Sequence, residues 1–155
     1  MKFKYFKESL KLNLFGIAKI PLIVFCTPSV VKLDDENCEI KIPLRYRTKN
    51  HLGSMYFGAL AIGGDLASGL AAMFAIDKSE KKISLVFKDF KANFLKRPTE
   101  DVIFRCQSVK ETNELVKEAE STTERVERPI EVVAIGAKSG DLYAEMTLTL
   151  SLKQR

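Results

Sequence analysis

Apolar and polar positions alternate most regularly near the end of the chain. Leu142, Ala144, Met146, Leu148, Leu150 and Leu152 are apolar, and mostly polar residues stand between them. A period of two is the mark of a strand with one face buried. The same period runs through Cys38, Ile40, Ile42 and Leu44 against Glu39, Lys41, Pro43 and Arg45. Pro43 predicts that this strand ends at an edge or a bulge. Residues 29–34 and 37–44 therefore read as a hairpin about Asp34–Asn37. Residues 83–96, 101–109, 130–137 and 142–152 read as four further strands. Phe90, Ala92 and Phe94 share one face of the first, and Val102, Phe104 and Cys106 one face of the second. The last two strands form a hairpin over Ser139-Gly140, a two-residue turn signal.

Between the two groups of strands the period changes. From His51 to Ile76 the chain reads HLGSMYFGALAIGGDLASGLAAMFAI. A helix from about Ser54 to Phe74, with Ser54 as its N-cap, has apolar or small residues on every face, so it is expected to be wrapped on most sides. Its Gly and Ala residues lower helix propensity, which is tolerated where another backbone comes close. Residues 2–15 predict a short basic amphipathic helix with Phe3, Phe6 and Leu10 at helical spacing. It is expected to pack on the edge as a flap, with membrane contact as the alternative. Pro21 and Pro28 bracket an apolar run, Leu22 to Phe25. Residues 111–125 are highly charged, with Leu115 and Ala119 as a thin apolar stripe, and read as a solvated helix or excursion that carries no site. Two strands, a long apolar helix and four strands give an α+β arrangement, an antiparallel sheet about a central helix.

The 155 residues suit a single domain, 1–155, with residues 1–20 as an N-terminal helical extension. Hydrophobic content of 46% with 29% charged residues excludes wholesale disorder. The net charge of +5 is spread along the chain and no nucleic-acid-binding motif is present, so a nucleic-acid partner is not expected. Three widely spaced cysteines without a C-x-x-C pattern predict neither a disulfide framework nor a metal site, and point to a reducing, cytoplasmic setting. Lys19 and Pro21 interrupt the apolar part of the N-terminus, which argues against an export signal. The His51–Ile76 stretch is long enough to span a bilayer, yet its five glycines and its one acidic residue favour a buried helix over stable membrane insertion.

That acidic residue, Asp65, is the only formal charge in the stretch. Burying an unpaired carboxylate costs several kcal/mol, so a chain that keeps one pairs it, neutralises it or uses it. A structural pairing would bring in a helix N-terminus, Arg45 or Arg47.

The strand order and the all-round-apolar helix resemble the hotdog fold. The stretch Asn50-His51-Leu52-Gly53, Tyr56-Phe57-Gly58-Ala59 and Asp65-Leu66-Ala67 resembles the helix motif of its acyl-CoA thioesterases, above all the phenylacetyl-CoA type. That type has an Asn before the helix, His-Gly-Gly at its start and an Asp two turns on; Asn50, Gly58 and Asp65 match. Tyr56 and Phe57 stand in place of the His and the first Gly, which marks a separate branch. The strand Phe90 to Pro98 is also similar. The resemblance implies hydrolysis of an acyl-CoA or other acyl thioester. Asp65 would be general base or nucleophile, the Gly58 amide the oxyanion donor, and Asn50 would orient water or carbonyl. Tyr56, His51 and Phe57 would line the substrate site, and Lys91, Lys96 or Arg97 would meet the CoA phosphates. No cofactor is implied, since CoA enters as part of the substrate.

Helix geometry asks for two copies. Gly58 and Asp65 are seven residues apart, on nearly one face but separated by about 10 Å along the axis. One thioester carbonyl cannot touch both, since catalytic contacts need roughly 3 Å. Antiparallel helices from two chains would bring Asp65 of one beside Gly58 of the other, so a homodimer with shared sites is expected, with a dimer of dimers as the larger alternative. Two rival readings remain: a non-catalytic acyl-CoA or lipid-binding protein, and a hydroxyacyl thioester dehydratase built on His51 and Asp65.

Overall fold

The computed structural model describes residues 4–155, so Phe3 of the predicted first helix lies outside the described residues. Two helices open the chain, α1 (Phe6–Lys19) and α2 (Pro21–Phe25). The hairpin β1 (Ser29–Leu33) and β2 (Cys38–Ile42) follows, then the long helix α3 (Phe57–Ile76). Strands β3 (Ile83–Phe94) and β4 (Val102–Cys106) come next, then α4 (Val109–Glu120) and the hairpin β5 (Val126–Gly136) and β6 (Leu142–Gln154). The strands form one antiparallel sheet in the order β1-β2-β4-β5-β6-β3. The expected architecture, an antiparallel sheet wrapped about a long helix, is what the chain adopts.

The two edges of this sheet are treated differently. At β1 the Val30 N–H donates to Ser9 Oγ at 2.9 Å, and Asn13 Nδ2 donates to the Pro28 carbonyl, so α1 closes that edge. At the other edge β3 is long and largely exposed, with a bulge between Phe87 and Phe90. Helix α1 runs four residues beyond the predicted end. The apolar run after it forms α2, a helix whose first residue is Pro21, the position a proline suits.

Helix α3 is seated by glycines. A Cβ at Gly63 would lie 2.3 Å from the ring of Phe104 on β4, and one at Gly64 would lie 2.6 Å from Met146 Sδ on β6. The helix backbone thus rests directly on the side chains of the sheet. Around this contact Ile40, Ile42, Leu60, Ala67, Val102, Val132 and Leu148 form one apolar cluster. A second cluster sits over the C-terminal half of α3, where Ala71, Ala72 and Ala75 meet Leu115, Val116 and Ala119 of α4. The segment read as a solvated helix or excursion is a helix up to Glu120, and a packed one. Val109, Thr112 and Val116 join Leu115 and Ala119 on its buried face, while its acidic residues face water.

Two further expectations change. Helix α3 begins at Tyr56 as N-cap and not at Ser54, whose hydroxyl is bonded to Asn50. The β5–β6 turn is wider than two residues, spanning 137–141 with Gly140 at φ +72°. Glu100 holds it by accepting the Lys138 N–H at 2.6 Å and the Tyr143 hydroxyl at 3.1 Å.

The seat of α3 is testable. Gly63→Ala drives a methyl into the buried Phe104 ring and is expected to destabilise by about 1–3 kcal/mol in urea denaturation. Gly69→Ala, where a Cβ meets only Phe87 at 3.7 Å, should be neutral or stabilising through helix propensity alone.

Candidate active site

The loop before α3 is built to fix the start of that helix. Asn50 Oδ1 accepts the N–H groups of Leu52 (2.9 Å) and Ser54 (3.2 Å), and its Nδ2 donates to Ser54 Oγ at 3.0 Å. The Met55 N–H donates to the Pro98 carbonyl and the Tyr56 N–H to that of Thr48. Met55 itself is buried. The Tyr56 carbonyl accepts the N–H groups of Ala59 and Leu60, which leaves those of Phe57 and Gly58 without an acceptor among the described residues. Free amides at the first turn, with the positive end of the helix dipole, make this a place where negative charge is stabilised. The Tyr56 ring folds over Gly58, where a Cβ would lie 2.5 Å from it, so a larger residue there would push that ring aside.

Asp65 lies two turns further along α3. The sheet and α4 cover one side of this helix, and ten of its twenty residues are buried. The opposite side carries Gly58, Ala61, Ile62, Asp65, Gly69 and Met73, none of them fully covered. The helix is thus apolar on every face but covered by its own chain on only one. Among the described residues the Asp65 carboxylate has no hydrogen bond and no ion pair. Partial burial pushes its carboxyl above the usual aspartate value. The alternative pairing with Arg47 is not made; that guanidinium lies 5.4 Å from the Phe25 ring centre.

The remaining candidates are dispersed. Phe57 is exposed, 4.8 Å from the Tyr56 ring and 6.4 Å, edge-on, from that of Phe94 at the end of β3. Phe94 extends the aromatic group beyond the residues singled out from the sequence, and the Phe90-Ala92-Phe94 alternation was the signal for it. The segment after β3 runs beside the start of α3, held by the Met55–Pro98 bond, so Lys96 and Arg97 lie at that end. Lys96 pairs with Asp141, whereas Arg97 is exposed. Lys91 is not brought to this region. Strand alternation turns Phe90 toward Gly64 and puts Lys91 on the outer face of the sheet, beside Glu131, Glu145 and Thr147. His51 is an exposed turn residue. A depression of about 250 Å³ on that outer face and one of about 370 Å³ between α3 and α4 include neither Asp65 nor Gly58. No group of three metal-ligating side chains occurs among the described residues.

The wrapped-helix architecture is the hotdog fold, shared with proteins of similar length. A protein of unknown function from Chlorobaculum tepidum matches with a TM-score of 0.82 at 11% identity, over 96% of each chain. A Pseudomonas aeruginosa protein of unknown function, suggested to be a thioesterase, matches at 0.76 and 20% identity, over 96% of this chain and 95% of that one. A thioesterase from Haemophilus influenzae matches at 0.67 and 16% identity, over 91% and 88%. At these identities the likeness is one of fold. A family model described as a domain of unknown function, DUF4442, matches residues 12–152, and the chain belongs to that family. No curated protein matches it in sequence.

The raised Asp65 carboxyl has a pH signature. The folded chain holds this proton more tightly than the unfolded one, so the group's contribution to stability is full at low pH and is lost as pH rises through the raised value. Asp65→Asn is expected to be more stable than the parent at neutral pH, with the gap closing below the ordinary aspartate range. Urea titrations at a series of pH values measure this.

Proposed function

We propose that this chain is an acyl-CoA thioesterase whose sites are shared between two antiparallel copies of α3. The observation that carries the reading is the unpartnered Asp65 carboxylate on the open side of α3, together with the free amides at the start of that helix. In this reading Asp65 of one copy takes a proton from water, and the resulting hydroxide attacks the thioester carbonyl. The Gly58 N–H of the other copy receives the oxyanion, aided by the helix dipole. Collapse of the tetrahedral intermediate breaks the C–S bond, and the Asp65 carboxyl returns its proton to the departing thiolate. A carboxyl raised by burial is better matched to that proton traffic than an ordinary one. Asn50 acts at one remove, since its amide is spent on the loop that presents Gly58. Tyr56, Phe57 and Phe94 would line the acyl site, and Arg97 is the best placed cation for the CoA phosphates. No cofactor is invoked. Glycine and alanine on the open side of α3 would let a second helix approach closely, and the exposed β3 edge offers hydrogen bonds to a second sheet. Three free, buried cysteines agree with a cytoplasmic setting.

One observation favours a second reading. The Tyr56 ring lies against Gly58, where it narrows access to the amide, as would suit a protein that binds an acyl thioester without cleaving it. The dehydratase reading has less support, because His51 sits in an exposed turn.

Release of free thiol from a panel of acyl-CoA thioesters tests the reading. Asp65→Asn is expected to lower kcat by about 10²–10⁴-fold, the range for removing a general base. Binding without turnover by the parent would instead support the second reading. The shared site has its own test in subunit mixing. Asp65→Asn and Gly58→Val chains, each inactive alone, should recover roughly a quarter of parental activity when randomly paired, because each mixed dimer keeps one intact site. Sites contained within one chain would recover none.

A further inference from the structure

Most of the large apolar side chains that are exposed fall in two places. One is the open side of α3 with the β3 edge, which the proposed second copy would cover. The other is the N-terminal pair of helices, one side of which no described residue covers. On α1, Phe6, Leu10, Leu14 and Ile17 recur at helical spacing and are 49–63% exposed. The neighbouring side of the helix is the one that docks: Leu12 and Gly16 are buried, and Ser9 and Asn13 bond to the β1 edge. Ile20, Leu22 and Phe25 of the α1–α2 junction and α2 are exposed as well. So many large apolar side chains exposed along two successive helices are uncommon on a free protein and mark a contact.

The charge around this surface selects the occupant. Lys7 and Lys11 flank the apolar stripe, and Lys4 and Lys19 lie near its two ends, with Glu8 the only acid on α1. The Arg47 guanidinium, packed over Phe25, joins the helices to the segment Arg45-Tyr46-Arg47-Thr48-Lys49, which has no acid and whose Tyr46 is 96% exposed. Residues 4–27 and 45–49 together hold seven Lys and Arg against one acidic residue, more than the +5 of the whole chain. A second copy docking here would set cations against cations. At 14 residues α1 is about 21 Å long, too short to cross a bilayer but long enough to lie in its interface.

We propose that α1, α2 and the Arg45–Lys49 turn form a docking surface for an anionic lipid bilayer. The apolar stripe of α1 enters the headgroup boundary, the lysines and arginines meet lipid phosphates, and Tyr46 sits at headgroup level, as amphipathic rings do. This inference is independent of the thioesterase reading, because its readout is vesicle binding and not catalysis.

Co-sedimentation of the full chain with vesicles tests it. Binding is expected to phosphatidylcholine vesicles containing about one-third phosphatidylglycerol and not to phosphatidylcholine alone, and to weaken as salt is raised. Leu10→Glu with Ile17→Glu should abolish it. Lys7→Glu with Lys11→Glu, at exposed positions that leave the fold intact by circular dichroism, should weaken it at least tenfold. Failure of the parent to bind the anionic vesicles overturns the proposal. So does binding that persists in the Leu10/Ile17 variant. A fall in oligomeric mass for that variant in sedimentation equilibrium would assign the face to a protein contact and overturn it equally.

Discussion

The rotational phase of α3 is set by the contact of Gly63 with the Phe104 ring and of Gly64 with Met146, and the rest of the candidate site follows from that phase. Each helical residue advances about 100°, so Asp65, two residues beyond Gly63, is carried roughly 200° round and must leave the sheet. Seven residues back, Gly58 returns to almost the angle of Asp65. A larger residue at 63 would lift the helix and allow it to roll, and Asp65 and Gly58 would turn together away from the open side. The two adjacent glycines therefore act on the chemistry without touching it. They explain why a helix of such poor intrinsic propensity is kept: its stability comes from burial against Phe104, Met146 and α4, not from its own backbone preferences.

How far the sequence foretold this depends on where each signal came from. Strands buried on one face announce themselves, and β2 and β6 lie close to where their alternation puts them. Helix α3 was legible in extent but not in environment. An all-round-apolar pattern means that every face is meant to be covered, and it does not say whether the cover comes from the same chain. Ser54 has the right chemistry for a cap, but Asn50 four residues earlier competes for the same hydroxyl, a pairing that only the folded loop decides. In α4 a high charge density hid Val109 and Val116, because the eye weighs the many acids above the few positions that repeat at helical spacing. Lys91 illustrates the period of two: one step along β3 separates a residue facing the helix from one on the outer surface. Of the candidate site, the residue types and their spacing were readable. The engagement of the Asn50 amide, the seat of the Tyr56 ring and the freedom of the first-turn amides are properties of the loop and could not be read.

Charge is divided over the surface in a way that matches this layout. The open side of α3 carries a single carboxylate among small and apolar groups, so little electrostatic work opposes covering it. The N-terminal helices and the turn at 45–49 hold the cationic excess, on a different part of the sequence from the open side of α3. Ion pairs elsewhere, such as Lys78 with Asp35, are solvent-exposed and contribute little each.

The unequal edges of the sheet bear on how many chains an assembly can hold. A sheet open at both ends accepts a further copy indefinitely and grows into a fibre. Here Ser9 has already taken the Val30 amide, so β1 offers a newcomer little to bond. Addition at β3, as proposed, would be self-limiting: the first copy would use that edge, and a pair joined there would present the α1-covered β1 edge at each outer end. Detachment of α1 would remove that stop. Truncating the first helix would then be dangerous less for lost stability than for unchecked elongation of the sheet.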